Sequence, residues 1–364
     1  MRQLGISIYP DKASIEDNVS YIKKAGSYGF KRIFTCLISA DGQADQLIES
    51  FQPLIEAAKA YDMAIIADVS PDVFRSLGIE YTDLKVFSDM GLAGIRLDLG
   101  FSGHEESIMT CNPYGLKIEI NMSNGTRYLE NILSNQPIRE NLYGCHNFYP
   151  HPYTGLSRSH FIQCSDQFKS QNIRTAAFVS SQAASFGPWP LSDGLCSLED
   201  HRHLPIVTQA KDLFNTGLID DVIIGNCFAS DQELKALGQM NKEVLTLEVD
   251  LIEGLPQVEK AIVVDSFHFN RGDVSDYMIR STQSRVDHKG HHFEAMNTIP
   301  IEKGHILIDS SLYTRYAGEL QLALRPMNNT GKTSVVGQVV EEDRYLLDAI
   351  LPWQKFKLSS RKRG

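Results

Sequence analysis

Over roughly the first 240 residues, short apolar runs rich in β-branched side chains alternate with amphipathic stretches, and this rhythm constrains the fold more than anything else in the chain. The pattern predicts strands over 4–9, 32–37, 64–69, 94–99, 116–122, 142–148, 175–180 and 222–226, with helical segments at 14–28, 45–61, 125–133 and 212–216 among them. Alternating strand–helix units imply a parallel sheet with right-handed crossovers. Eight such units in this length fit a closed (β/α)8 barrel, the TIM barrel. A doubly wound open sheet is the alternative, but no GxGxxG follows the first strand to support it.

Near Gln239-Met240-Asn241-Lys242 the rhythm changes. Short strands are predicted over 244–251, 262–265, 306–308, 320–324 and 334–340, punctuated by Asn270-Arg271-Gly272-Asp273 and Asn328-Asn329-Thr330-Gly331. This pattern implies a small, mostly β second domain, a barrel in the simplest case. A single core stops growing at roughly 250–300 residues. The chain of 364 therefore divides into domains 1–241 and 242–364, and the basic segment 355–364 is expected to be a solvated, frayed tail.

Composition narrows the partners. The formal net charge of -10 argues against nucleic acid, which needs a basic field. No apolar run approaches the ~20 residues that a bilayer span requires. The N-terminal Met1–Pro10 segment lacks an apolar signal region, so a cytoplasmic location is expected. Six scattered cysteines show no CxxC or Cys/His metal spacing, which favours reduced, mostly buried thiols; no metal or other cofactor is expected.

In such a barrel, chemistry gathers at the C-terminal strand ends. Those ends carry Tyr9, Thr35, Asp68, Asp98, Glu119, Asn121, His146 and Asn147. Period-two alternation turns Asp68, Arg96, Asp98, Glu119 and Asn121 inward and Ile95, Leu97, Leu99, Ile118, Ile120 and Met122 towards the helices. The remaining interior is expected to be Val, Ile and Leu. Neighbouring carboxylates cannot all ionise at their reference pKa, so one is pushed into the range of a general acid. The bland alternative is that Arg96 pairs with one acid while the others are hydrated rim residues.

Paired carboxylates without a histidine metal cluster point to glycoside hydrolysis. Asp98 and Glu119 are the expected acid and nucleophile or base, with Asp68 supporting or substituting. Retaining, inverting and substrate-assisted routes all fit the spacing. Tyr9, Asn121, His146, Asn147 and Tyr149 offer hydrogen bonds and stacking to a sugar. The long loop 187–202 has the character of a lid. In the second domain, His268, Arg271, Arg280, Ser281, Ser284 and Arg285 form a cationic cluster suited to a phosphate monoester, or a solvated surface.

Several strings resemble one bacterial family, the 6-phospho-N-acetylmuramidases. They include Ser7-Ile8-Tyr9-Pro10, Asp68-Val69-Ser70-Pro71, Arg96-Leu97-Asp98-Leu99-Gly100-Phe101, His146-Asn147-Phe148-Tyr149-Pro150, Arg280-Ser281…Ser284-Arg285 and Gly304-His305-Ile306-Leu307-Ile308-Asp309. The resemblance runs along nearly the whole chain in order. It implies a TIM barrel followed by a cyclophilin-like β-barrel. It also implies hydrolysis of a phosphorylated amino-sugar disaccharide, N-acetylmuramic acid 6-phosphate–N-acetylglucosamine, during cell-wall recycling. Arg271, Arg280 and Arg285 would then recognise the 6-phosphate if the second domain closes over the barrel mouth. One departure is Cys196-Ser197, where the family carries Pro-Thr. The competing expectations are a non-catalytic sensor of wall fragments and a phosphosugar isomerase or aldolase, for which Lys117 is the one strand lysine of inward parity.

Overall fold

The computed structural model describes residues 1–37, 44–184, 186–188 and 193–361. Two compact units divide the chain, Met1–Met240 and Asn241–Gly364. In the first, eight strands close a parallel barrel in sequence order. They are β1 (Gln3–Ser7), β2 (Arg32–Cys36), β3 (Ala64–Val69), β4 (Gly94–Leu97), β5 (Lys117–Asn121), β6 (Leu142–Cys145), β7 (Arg174–Val179) and β8 (Asp221–Ile224). The expected TIM barrel is what the chain forms.

Local chemistry builds the alternation. Ser14 caps the helix Ile15–Ser27 by accepting from the Asp17 amide at 3.0 Å, and that helix buries Tyr21, Ile22 and Ala25 against the strands. Outward strand residues such as Ile33, Ile65, Ile95, Leu97 and Ile118 join this helix-layer core. The inner face departs from the expected Val, Ile and Leu: its apolar cluster is Tyr9, Phe34, Cys145, Ala176, Phe178, Ile223 and Cys227, and beside it lie the charged Arg32, Asp68, Arg96, Glu119 and Asp221.

Strand register carries the polar residues. Cys36, Asp68, Arg96, Glu119 and Tyr143 are successive Cα partners from β2 to β6. Gly94 lets β4 lie close to β5, since a Cβ there would sit 2.5 Å from the Lys117 carbonyl oxygen. Barrel strands tilt by about 36°, so a row perpendicular to them descends about 3 Å along the barrel axis per strand. The row therefore starts at the mouth and ends in the interior. Exposure follows it down: Asp68 is 7% exposed, Arg96 3% and Glu119 0%.

The second unit is a seven-stranded, barrel-like sheet made of β9 (Leu245–Leu251), β10 (His268–Phe269), β11 (Met278–Ser281), β12 (His305–Asp309), β13 (Leu320–Ala323), β14 (Thr333–Val339) and β15 (Lys355–Ser360). Their order is β10-β15-β9-β14-β12-β13-β11, and the ends of the two edge strands are joined where the Arg271 amide donates to the Arg280 carbonyl at 3.1 Å. Two expectations fail here. Residues 262–265 are not a strand: they lie at the end of the helix Gln257–Val264, where Ile262 and Val263 are buried on one face. A short apolar run has no periodicity that separates the two possibilities. Nor is 355–360 a frayed tail, because β15 lies between β9 and β10 and buries Phe356 and Leu358. Its alternation of Lys355 and Lys357 with Phe356 and Leu358 is the mark of a half-buried strand. Residues 362–364 lie outside the described residues.

Replacing Phe356, fully buried in this core, with Ala should cost about 3–5 kcal/mol, read as a lowered Tm or denaturant midpoint. A change within about 0.5 kcal/mol, the scale of surface substitutions, would return β15 to the status of a tail.

Candidate active site

At the C-terminal mouth of the barrel lies a cavity of about 130 Å³ lined by Phe34, Cys36, Asp68, Arg96, Asp98, Asn147, Phe148, Pro150 and Phe178. Arg96 organises it. One terminal nitrogen donates to Asp68 Oδ1 at 3.0 Å; the other reaches Asp98 Oδ1 at 3.5 Å and also donates to Asn147 Oδ1. The inward reading of these residues thus meets a single guanidinium serving both carboxylates, rather than the one acid of the bland alternative. Asn121 donates to Asp98 Oδ1 at 3.2 Å, and its own carbonyl oxygen accepts from the Ser123 amide at 2.8 Å.

The two acids differ in surroundings. Asp68 has a side chain 9% exposed, whereas that of Asp98, just beyond the end of β4, is 45% exposed. Burial, assisted by the charges of Asp98 and Glu119 and opposed by Arg96, pushes Asp68 up to about 6. Burial opposes the charge on Arg96, but the surrounding acids more than offset it and raise its pKa. Leu99, expected to face the helices, is exposed because the strand ladder ends at Leu97.

A wall of aromatic rings stands beside the acids. Phe34 and Phe178 meet edge to face at 5.1 Å, as do Phe148 and Phe178. Such a wall offers an apolar face to a sugar ring. These phenylalanines were not among the expected site residues, although the inward parity of Phe34 and Phe178 was available.

Several expected residues lie elsewhere. Glu119 is fully buried below the cavity and bonded to Arg32, which also donates to Asp221 at 2.9 Å. Tyr9 is buried in the inner apolar cluster, its hydroxyl donating to the Gly225 carbonyl at 2.6 Å. His146 points the other way, into the helix layer. Its ring stacks on Phe161 and both nitrogens meet serine hydroxyls, Ser123 at 3.1 Å and Ser165 at 2.9 Å. Burial lowers its pKa to about 3, leaving it neutral. The alternation Cys145 in, His146 out, Asn147 in carried that signal. Thr35 is buried, and Lys117 is held at the opposite end of β5 by the Asn141 side chain at 2.7 Å and the Glu140 carbonyl.

The loops over the mouth are tied down by an ion pair that parity could not show. Arg202 binds Glu199, and Glu199 also accepts from the amides of Tyr153 and Gly155 at 2.8 and 2.7 Å, so that Arg202 above all holds its pKa down to about 2. Tyr149 is half-buried, and its amide donates to Cys196. Ser197 holds Asn147 in place by donating to its backbone carbonyl at 2.8 Å. Residues 189–192 of the expected lid lie outside the described residues.

In the second unit, Arg280 and Arg285 converge on one buried carboxylate, Glu319, at 2.7 and 3.0 Å, and both stack on Tyr316. Arg271 pairs with Asp273 at 2.6 Å. Ser281 is not with the arginines: the next residue along the strand, it faces the core and meets His268 Nδ1 at 3.2 Å. Ser284 donates to the Gly318 carbonyl. Among the described residues, no group of three or more His, Cys, Asp or Glu is placed to hold a metal ion, and no helix is long and apolar enough to cross a membrane.

A parallel barrel with two carboxylates and an aromatic wall at its C-terminal mouth is the architecture of a TIM-barrel protein of glycosidase type. The family model described as 6-phospho-N-acetylmuramidase, N-terminal, matches residues 4–239, and its C-terminal counterpart matches 245–359. The chain belongs to the 6-phospho-N-acetylmuramidase family. An uncharacterized B. cereus protein of known structure is 45% identical, with a TM-score of 0.90 over 98% of this chain and 99% of that one. A conserved protein of unknown function from Enterococcus faecalis is 26% identical, with a TM-score of 0.71 over 99% and 97%. No curated protein matches the chain.

The raised pKa of Asp68 has a consequence for stability. Below the ordinary carboxyl value of about 3.9 the group is protonated in both states. As pH rises towards about 6 the unfolded chain releases this proton while the native state keeps it, so stability falls. The loss should be on the order of 3 kcal/mol. Urea titrations at several pH values should show this loss in the wild type and not in Asp68→Asn; identical pH dependence in the two would refute the assignment.

Proposed function

We propose that the protein hydrolyses the glycosidic bond of N-acetylmuramic acid 6-phosphate–N-acetylglucosamine in cell-wall recycling, with Asp68 as general acid and Asp98 as its ionised partner. The observation that carries this reading is the sharing of Arg96 between a buried and a half-exposed carboxylate. One cation cannot neutralise two anions in an apolar cleft, so one proton is retained and burial directs it to Asp68. That proton passes to the bridging oxygen as the bond to the anomeric carbon breaks. Asp98 meets the developing oxocarbenium ion as nucleophile or as the base for water. Asn121 orients Asp98, Asn147 braces Arg96, and the phenylalanine wall receives the sugar. Glu119, expected from its parity to share the acid and base roles, is removed from contact with substrate by its burial against Arg32. The sequence resemblance and the family membership supply the substrate class.

Incubation with the phosphorylated disaccharide and its unphosphorylated twin should release N-acetylglucosamine from the former alone. Tight binding without cleavage would favour the sensor reading. Asp68→Asn and Asp98→Asn should each lower kcat by about 10²–10⁴ with unchanged circular dichroism. In the wild type, kcat/KM should fall as pH rises through about 6, where Asp68 loses its proton.

Anion recognition in the second unit falls to Arg280 and Arg285, because two guanidinia over one carboxylate leave a positive charge for a phosphate monoester. Arg280→Ala and Arg285→Ala should each weaken binding of inorganic phosphate at least tenfold in a calorimetric titration, a loss of about 1.4 kcal/mol. An unchanged phosphate affinity would place anion recognition elsewhere.

A further inference from the structure

The buried charges of the barrel balance in one layer and not in the next, and the difference gives Glu119 a task. In the lower layer, Arg32 binds Glu119 and reaches Asp221 at 2.9 Å, while Arg174 holds the other side of Asp221 at 2.5 and 3.0 Å. Two guanidinia there face two carboxylates. In the layer above, among the described residues, Arg96 alone faces Asp68 and Asp98. Glu119 is the Cα partner of Arg96 across β4 and β5, which makes it the point where the layers meet.

We propose that Glu119 is a positioning residue: by neutralising Arg32 it keeps the lower layer uncharged, and the proton of the Asp68–Asp98 pair is thereby held in the active site. This rests on the reading that the pair carries the hydrolysis. The groups acting on Asp68 are Arg96 from β4, Asp98 just beyond the end of that strand and Glu119 from β5. Tyr9 beyond β1 and Cys36 from β2 also neighbour it, both kept uncharged by burial, and Asp11 lies near Cys36. Without the Glu119 charge, Arg32 and Arg174 would outnumber Asp221. The surplus positive charge would favour ionisation of both upper carboxyls, and Asp68 would surrender its proton at lower pH.

The test compares the full-length wild type with Glu119→Gln and Asp221→Asn, each of which removes one negative charge from the lower layer while retaining side-chain size. Carbon-13 NMR of labelled aspartate follows the Asp68 carboxyl, assigned by its loss in Asp68→Asn. In both variants its titration midpoint should fall by about one pH unit or more. The alkaline limb of kcat/KM on the phosphorylated disaccharide should move with it. An unmoved midpoint in folded Glu119→Gln overturns the proposal, since a residue that merely fixed Arg32 in place would leave the titration alone. Should Glu119→Gln not fold, the midpoint in Asp221→Asn decides in the same way. The NMR reading needs no substrate, so a shifted midpoint in a protein that cleaves nothing supports the coupling and overturns only the hydrolysis reading.

Discussion

One guanidinium, that of Arg96, has two carboxylates to satisfy, and much of the barrel interior follows from that shortage. An arginine buried to this degree persists only when its charge is met, because an unpaired buried charge costs several kcal/mol. Asp68 and Asp98 supply acceptors with one charge too many, and Asn147 supplies a neutral one. The surrounding aromatic wall lowers the local polarity and sharpens the competition between the two acids. A site that separates a proton-holding acid from an ionised one needs this inequality of surroundings more than it needs any special side chain.

Below it, the pairs of Arg32 with Glu119 and Asp221 show the opposite arrangement, in which charges cancel. Buried ion pairs of this kind contribute little net stability compared with a well-packed apolar interior. Their presence where Val, Ile and Leu were expected therefore calls for a reason other than stability. The enclosing helix-layer core carries the burden of folding, which leaves the barrel interior able to hold charge. The second unit repeats the motif with the sign reversed. There Glu319 is the scarce partner and Arg280 and Arg285 compete for it, so the local surplus is positive, although the whole chain is strongly negative.

How much of this was legible beforehand depended on the residue. Parity along strands separated inward from outward side chains for Asp68, Arg96, Asn121, Ile95 and Ile118. Applied to His146 and Ser281, the same rule would have turned them away from the mouth and from the arginines, since each adjoins an inward or outward-facing residue of opposite direction. Glu119 is a different kind of miss. Its parity is inward, as expected, but tilted strands carry a register row downward, so its carboxylate meets Arg32 in the interior rather than substrate at the mouth. The β15 segment, Lys355–Ser360, was misread because its lysines outweighed the alternation of Phe356 and Leu358 between them.

The sequence by itself determined the alternation of strands and helices, the change of architecture near residue 241, the family resemblance and the direction in which most strand side chains point. These are properties of local periodicity and of motif strings, which need no third dimension. Only the tertiary structure decided height within the barrel and partnership between distant residues. Arg32 meets Glu119 across 87 positions of sequence, and Arg280 meets Glu319 across 39. Such pairings depend on strand tilt and stagger, which closure of the whole barrel sets and no single strand encodes.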